Sequence, residues 1–251
     1  MIRTTLATLC CLTGMAHAEL QVATGLDYAQ GKYGSAQTTE QTAVPLIVRY
    51  VGDRVTARAS VPYVWIQNVN PGARGEALPC GNAANTPKNV EGFGDLVTSL
   101  SYSVIQNREW LVDVGGKAKW ATGDEDKCLS SGKNDFSAVT DIVRRVDDLT
   151  LFTTLGWTKR GDPTLGGVRT DYRDPFFGSI GASLKVAANT SIGTSYDYRE
   201  RLTERSQAIR EVSAFVTHRF TPGLKLQVYA VTGFTDASVD AGGGAILTTS
   251  Y

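Results

Sequence analysis

The chain has 251 residues, with 25 basic and 25 acidic side chains and a formal net charge of zero. This balance gives no electrostatic reason to expect nucleic acid as a partner. No apolar run approaches the roughly 18 to 20 residues that a transmembrane helix needs, so the sequence argues against a helical membrane span.

The first 18 residues have the three parts of a secretory signal peptide. Arg3 supplies a short positive region, residues 6–15 are mostly apolar, and Ala16-His17-Ala18 is a small-x-small cleavage site. We therefore predict that residues 1–18 are removed during export and that the mature chain begins at Glu19.

Alternation of apolar and polar residues predicts β-strands along the whole mature chain. The first four cover residues 20–32, 42–51, 54–67 and 93–105. Pro45 and Pro62 fall inside two of them. Because proline cannot donate a hydrogen bond to a β-ladder, we expect both at bulges or near the rims of the sheet.

Residues 110–120, WLVDVGGKAKW, form the fifth predicted strand and show the pattern most clearly. One face is apolar and begins and ends with tryptophan, and the other carries Asp113, Lys117 and Lys119. A strand of this length, tilted by about 40°, rises roughly 25 Å, the height of the apolar band of an outer-membrane barrel. The stretch predicts a strand with lipid outside and a polar lumen inside.

Seven further strands are predicted at residues 135–146, 149–159, 175–186, 190–199, 209–220, 224–234 and 243–251. The connections alternate between short turns and longer polar loops, and the strand count is even. Both features are typical of bacterial outer-membrane barrels. We predict an all-β fold, a 12-stranded antiparallel transmembrane β-barrel of the Gram-negative outer membrane, formed by residues 19–251 as one domain.

Outward-facing aromatic residues near the strand ends are predicted to form girdles at the two membrane interfaces. They are Tyr63, Trp65, Trp110, Trp120, Trp157, Tyr196, Tyr198, Phe220, Phe234 and Tyr251. We expect outer-membrane lipid and lipopolysaccharide around the barrel. The aromatic C-terminal strand is expected to be recognised by the barrel-assembly machinery.

Charged residues on the inward faces predict a polar lumen. The candidate lumen or constriction residues are Asp27, Arg49, Arg58, Asp95, Asp113, Lys117, Lys119, Asp197, Arg199 and Glu211. Of these, Arg58, Asp113, Lys117 and Lys119 are predicted at mid-strand and are the constriction candidates. A charged constriction would filter solutes, whereas salt-bridged side chains across the lumen would plug it.

Cysteine and histidine usage limits the chemistry of the exported chain. Cys80 and Cys128 lie in loops predicted on the same side and are expected to form one disulfide, the alternative being two reduced thiols. His218 is the single histidine of the mature chain and faces outward with no serine predicted beside it. We therefore predict no enzyme, no metal site and no cofactor.

Four short runs carry a family resemblance: GFGDL at 92–96, GKAK at 116–119, TGD at 122–124 and SGKNDF at 131–136. Over about residues 92–161 the chain resembles the MetA-pathway phenol-degradation family of outer-membrane proteins, although Ala121 replaces the usual proline before Thr-Gly-Asp. The resemblance implies passive uptake of small solutes, including aromatic or apolar compounds. Two functions stay open: an outer-membrane channel or transporter, and a non-conducting barrel with structural or surface-binding duties.

Overall fold

The computed structural model describes residues 18–69, 88–165, 168, 169, 171–204 and 206–251, so the predicted signal peptide lies almost entirely outside the described residues. The strands are β1 (Glu19–Gly31), β2 (Thr39–Val51), β3 (Val55–Gln67), β4 (Asn89–Phe93), β5 (Leu96–Gln106), β6 (Trp110–Trp120), β7 (Asp135–Val146), β8 (Leu149–Lys159), β9 (Thr164–Leu165), β10 (Val168–Arg169), β11 (Phe176–Ala187), β12 (Thr190–Arg199), β13 (Ile209–Thr221), β14 (Leu224–Gly233) and β15 (Ala241–Ser250). The described residues contain no helix that is long and apolar enough to cross a membrane.

Twelve wall strands close into one antiparallel barrel, which confirms the predicted fold class. Each wall strand pairs with the next one along the chain, and β1 pairs with both β2 and β15, which closes the sheet. The short β4 precedes β5 on the same side of β3, so the predicted strand at 93–105 is split at Gly94 and Asp95. β6, β7, β8 and β12 begin and end where the sequence predicts.

The two ends of the barrel differ. Five connections of two or three residues, after β2, β5, β7, β11 and β13, lie at one end, which we call the short-turn end. The longer connections lie at the other end, which we call the loop end. β9 and β10 form a small hairpin within the loop that joins β8 to β11. This alternation is the one predicted from sequence.

The outer surface of the barrel is apolar. Leucine and isoleucine side chains of the wall are largely exposed, including Leu100 at 59% and Ile180 at 63%. A monomeric protein in water rarely exposes a continuous apolar surface of this kind. The outer wall is therefore suited to lipid, and the polar residues that alternate with these side chains point into the lumen.

Two prolines interrupt the wall at one level. Pro45 and Pro62 are direct partners across β2 and β3, well inside both strands rather than at the rims. By register Pro45 falls opposite Gly25, where the ladder between β1 and β2 is interrupted. Pro62 faces the break between β4 and β5, and its carbonyl accepts a hydrogen bond from the N–H of Gly94 at 2.9 Å. Each missing proline donor thus coincides with an interruption of a ladder.

Part of the interior is filled by aromatic rings that lie on glycines of the neighbouring strand. A buried cluster inside the barrel consists of Tyr33, Phe152, Phe215, Tyr229, Val231 and Val239. A Cβ added to Gly181 would lie 2.3 Å from the Phe152 ring, and one added to Gly193 would lie 2.3 Å from the Phe215 ring. The glycines therefore make room for rings that would otherwise collide with the wall.

We expect Gly181→Ala to lower the free energy of unfolding by about 1 to 3 kcal/mol, because the new methyl group collides with the Phe152 ring and with a carbonyl of β12. Urea unfolding of the protein refolded in lipid vesicles measures this. Gly116→Ala is the control, since its Cβ would meet only the Ser137 carbonyl oxygen at 3.6 Å. Equal stabilities of the two variants would contradict the proposed packing role of Gly181.

Candidate functional site

The barrel contains a cavity of about 320 Å³ whose lining residues extend from near the short-turn end to the loops. Its lining includes Gln21 and Lys225 near the short-turn end and Tyr172 and Leu202 in the loops. A volume of this size is at the lower end of the range for small-molecule sites. The lining contains nine of the ten predicted lumen residues: Asp27, Arg49, Arg58, Asp95, Lys117, Lys119, Asp197, Arg199 and Glu211.

Lys119 does not lie at mid-strand as predicted. It stands one residue before the loop end of β6. Its Nζ is 2.8 Å from Oδ2 of Asp95 and 3.5 Å from Oδ2 of Asp135, and it donates to the carbonyl of Lys133 at 2.8 Å. Each of the three charged side chains is less than a tenth exposed. Lys119 is thus committed to buried carboxylates at the loop end.

Arg160 extends this group of charges. Its guanidinium is 3.5 Å from Oδ2 of Asp135 and lies 5.6 Å from the centre of the Tyr172 ring. The other carboxylate oxygen of Asp135 accepts the N–H of Gly161 at 3.1 Å. We call Asp95, Lys119, Asp135 and Arg160 the rim cluster. It ties the loop between β6 and β7 to the loop between β8 and β11.

The residues that carry the family resemblance converge on the rim cluster. The hydroxyl of Thr122 accepts the N–H of Leu96 at 2.9 Å, and the N–H of Gly123 donates to Oδ1 of Asp95 at 3.1 Å. Runs that are separated in sequence therefore form one structural unit. Its effect is to fix the loop 121–134, and residues 128–131 of that loop line the cavity.

The loop between β8 and β11 has ion pairs of its own. Oδ2 of Asp162 accepts Arg169 at 2.8 Å, and this hydrogen bond lowers the pKa of the Asp162 carboxyl. Likewise, the hydrogen bond from Lys159 at 2.7 Å lowers the pKa of Asp174. Both carboxylates also accept backbone N–H groups, from Tyr172 and Arg160. These contacts shape the loop around Tyr172, a residue that lines the cavity.

Cys128 lies in the loop that covers part of the lumen. Its side chain is buried against Ile66, Val69 and Val90, and its φ is +60°. Cys80 lies outside the described residues, so the Cys80–Cys128 disulfide stays a prediction.

Below the rim cluster the lumen carries a row of bases. Arg49 and Arg58 are direct partners across β2 and β3. Ser99 separates Arg58 from Lys117 along the same row of partners. We call Arg49, Arg58 and Lys117 the basic strip. All three line the cavity.

Two acids occupy the next stretch of the inner wall. Asp113 and Asp141 are direct partners across β6 and β7. The Asp113 carboxylate accepts the Ser103 hydroxyl at 2.7 Å, and that of Asp141 accepts the Thr154 hydroxyl at 2.5 Å. Asp113 is the one predicted lumen residue that does not line the cavity. The basic strip and this acidic pair thus occupy different parts of the wall.

Asp197, Arg199 and Glu211 lie together on β12 and β13. Asp197 and Glu211 are direct partners across the two strands. Oε1 of Glu211 accepts the N–H of Val239 at 3.1 Å, which fixes the loop between β14 and β15 at the mouth. Glu211 therefore has a structural contact in addition to facing the cavity.

Asp27 is held by Tyr229, whose hydroxyl donates to Oδ1 of Asp27 at 2.5 Å. The two residues lie on β1 and β14, with Gly244 of β15 between them in register. Because Gly244 has no side chain, the hydroxyl can reach across β15. Phe152 and Phe215 were not among the predicted lumen residues; the sequence signals for them are their alternation with outward apolar residues and a glycine at the matching position of the neighbouring strand.

The predicted girdle residues lie on the outer face. Eight of the ten are 37–78% exposed. Of the other two, Tyr63 packs against Trp65 with ring centres 4.7 Å apart, and Trp110 carries the guanidinium of Arg144 5.0 Å from its ring. Phe136 joins the group at the loop end through an edge contact with Trp120 at 5.9 Å.

His218 has a threonine partner rather than a serine. Its Nδ1 lies 2.8 Å from the hydroxyl of Thr190, and its ring packs against Phe220 at 4.7 Å. This geometry does not resemble the Ser/His dyad of barrel phospholipases. Within the described ranges, no three His, Cys, Asp or Glu side chains lie close enough together to hold a metal ion.

No protein-family model and no curated protein matches this chain. Solved structures do match it. An outer membrane channel from Pseudomonas putida F1 is similar with a TM-score of 0.69 and 14% identity, over 95% of this chain and 97% of that one. The NanC porin has a TM-score of 0.59 and the KdgM porin 0.55, each at 9% identity over 92% of this chain and 98% of theirs. At these identities the similarity shows the fold, and function is argued from the lumen.

We expect Lys119→Gln to destabilise the protein by about 3 to 5 kcal/mol, because it leaves the buried Asp95 carboxylate without its cation and Asp135 with Arg160 alone. Urea unfolding measures the loss, and limited proteolysis should cut within residues 121–134. Lys127→Gln is the control, because Lys127 and Asp124 are exposed and 3.9 Å apart, an ion pair that contributes less than about 1 kcal/mol. Intact loop protection in Lys119→Gln would contradict the role of the rim cluster.

Proposed function

We propose that the protein is an outer-membrane channel for the passive uptake of small solutes. The observation that carries this proposal is a cavity along the barrel, lined by charged side chains and enclosed by a wall with an apolar outer surface. Charged rings and strips are the means by which such pores select solutes. The similarity to a bacterial outer membrane channel supports the fold that this function requires.

The finer parts of the proposal concern cargo and location. The resemblance to the MetA-pathway phenol-degradation family supports aromatic or apolar solutes, as do the aromatic rings inside the barrel. Residues 1–18 would direct export, and outer-membrane lipid and lipopolysaccharide would surround the wall. The barrel-assembly machinery would recognise the last strand, β15, and Tyr251.

The second candidate function is a non-conducting barrel with structural or surface-binding duties. Two observations favour it: the aromatic cluster fills part of the interior, and the rim cluster fixes a loop against the cavity. Binding would then be a task of the long loops. The two candidates differ in whether ions pass through the barrel.

Single-channel recording of the refolded protein in planar lipid bilayers distinguishes them. A channel gives discrete current steps. We then expect Lys117→Glu to shift the reversal potential in a salt gradient towards cation selectivity, because it reverses a charge of the basic strip. Lys185→Glu is the control, since Lys185 is exposed at the short-turn end of β11. Silent bilayers in every condition would refute the aqueous pore and leave the second candidate.

We expect reductant to alter the current if Cys80 and Cys128 are bonded, because reduction would release the loop that carries Cys128 beside the cavity. The measurement is open-channel conductance before and after addition of reductant. The Cys80→Ser/Cys128→Ser double variant should show from the start the conductance that the natural protein has after reduction. Reductant should not change the current of this variant. A response of the double variant equal to that of the natural protein would refute the disulfide.

A further inference from the structure

Arg58 is a charged side chain of the lumen whose hydrogen-bond donors are not matched by acceptors. Its Nε is buried and makes no hydrogen bond, and no hydrogen bond or ion pair of its guanidinium occurs within the part of the chain that the structure describes. Its direct partner across β2 and β3 is Arg49, which is also positive. A buried charge without a partner is costly, and a like charge beside it adds to the cost. Such a group calls for an explanation.

The surroundings of Arg58 favour an anion. Arg49 lies directly beside it across the ladder, and Lys117 lies one residue pair further along the same row. The Asp141 carboxylate, which accepts the Thr154 hydroxyl, interacts with Arg49 and Lys117, so Arg58 is the member of the strip on which the inference rests. A guanidinium presents donors in a fork that fits the two oxygens of a carboxylate. The basic strip is thus arranged to receive a carboxylate from the lumen.

The same part of the cavity offers apolar surface. The Phe177 ring lies over Gly156, where an added Cβ would be 2.2 Å away, so the ring packs against the wall. The Nζ of Lys117 lies 5.1 Å from the centre of that ring. Ile47 and Val97 line the cavity on the strands that neighbour β3. An apolar body and a negative head can therefore be accommodated side by side.

We propose that the basic strip binds the carboxylate of a small organic acid with an aromatic or apolar body, and that Arg58 is its main contact. Phe177 would contact the body of the solute while Arg49 and Lys117 add to the attraction of its head. This inference rests on the proposed function and names the class of solute that passes. Neutral aromatic compounds would lack the contact with Arg58.

The test uses benzoate as the acid and benzyl alcohol as its uncharged counterpart, on the full-length protein refolded in lipid. Two quantities are measured: the benzoate concentration that half-blocks the ionic current, and the rise in the urea midpoint with added benzoate. We expect Arg58→Gln to weaken both effects about tenfold or more, because a charge-assisted bidentate contact is lost. Benzyl alcohol should affect the natural protein and the variant equally.

Arg145→Gln is the matched control, because Arg145 is a half-buried arginine at the short-turn end of β7 and on the same inner face. Its response to benzoate should equal that of the natural protein. Without benzoate, Arg58→Gln should unfold at the same urea concentration as the natural protein or a higher one, because it removes an uncompensated charge. That comparison also establishes that the variant folds.

The outcomes distinguish a failure of the proposed carboxylate site from a failure of the proposed channel. If current steps occur but benzoate acts equally on the natural protein and Arg58→Gln, or on neither, the carboxylate site is wrong and the channel stands. If no current occurs but benzoate stabilises the natural protein and not the variant, the site stands and the channel is wrong. If benzoate neither blocks nor stabilises, the site is overturned.

Discussion

The ammonium group of Lys119, held between the carboxylates of Asp95 and Asp135, is the contact on which the loop end of the barrel depends. An ion pair this deeply buried is stable only when its remaining donors and acceptors are satisfied. Backbone groups from two loops meet that requirement, since Gly123 donates to Asp95 and Gly161 donates to Asp135. The hydrogen bonds and ion pairs that these three side chains require thereby determine how the loops lie over the mouth.

Below the rim cluster, different parts of the lumen wall carry different kinds of side chain. Aromatic rings that lie on glycines occupy one part of the interior, and the basic strip and the pair of Asp113 and Asp141 occupy another. Because the rings are buried in gaps left by absent side chains, they fill space without pushing the strands apart. What remains is a cavity that is narrow, charged and partly apolar. A solute that passes would meet both kinds of surface at once.

Sequence alternation predicted most of the wall, and the reason is local. In β6 and β12 the two faces differ clearly, so the strand limits follow from the residues themselves, and β7 and β8 also begin and end where predicted although their alternation is less regular. Alternation also indicates which face a side chain takes, but it gives no information about loops that fold back, so the partners of Lys119 were not predicted. The packing of Phe152 was not predicted either, because it depends on Gly181 of the neighbouring strand, which is distant in sequence.

The two prolines have a consequence for the cohesion of the wall. The hairpin of β2 and β3 has an interrupted ladder on each side. On the side of β1 the gap lies at Gly25, and on the other side the break lies at Gly94. Its borders therefore have fewer hydrogen bonds than continuous ladders of the same length, although the ladder inside the hairpin is long. A local separation of the wall in lipid, where every freed backbone group is unsatisfied, meets its smallest penalty where donors are already absent. At the levels of Gly25 and Gly94, parting the wall would therefore free fewer backbone groups than it would along an uninterrupted stretch of ladder.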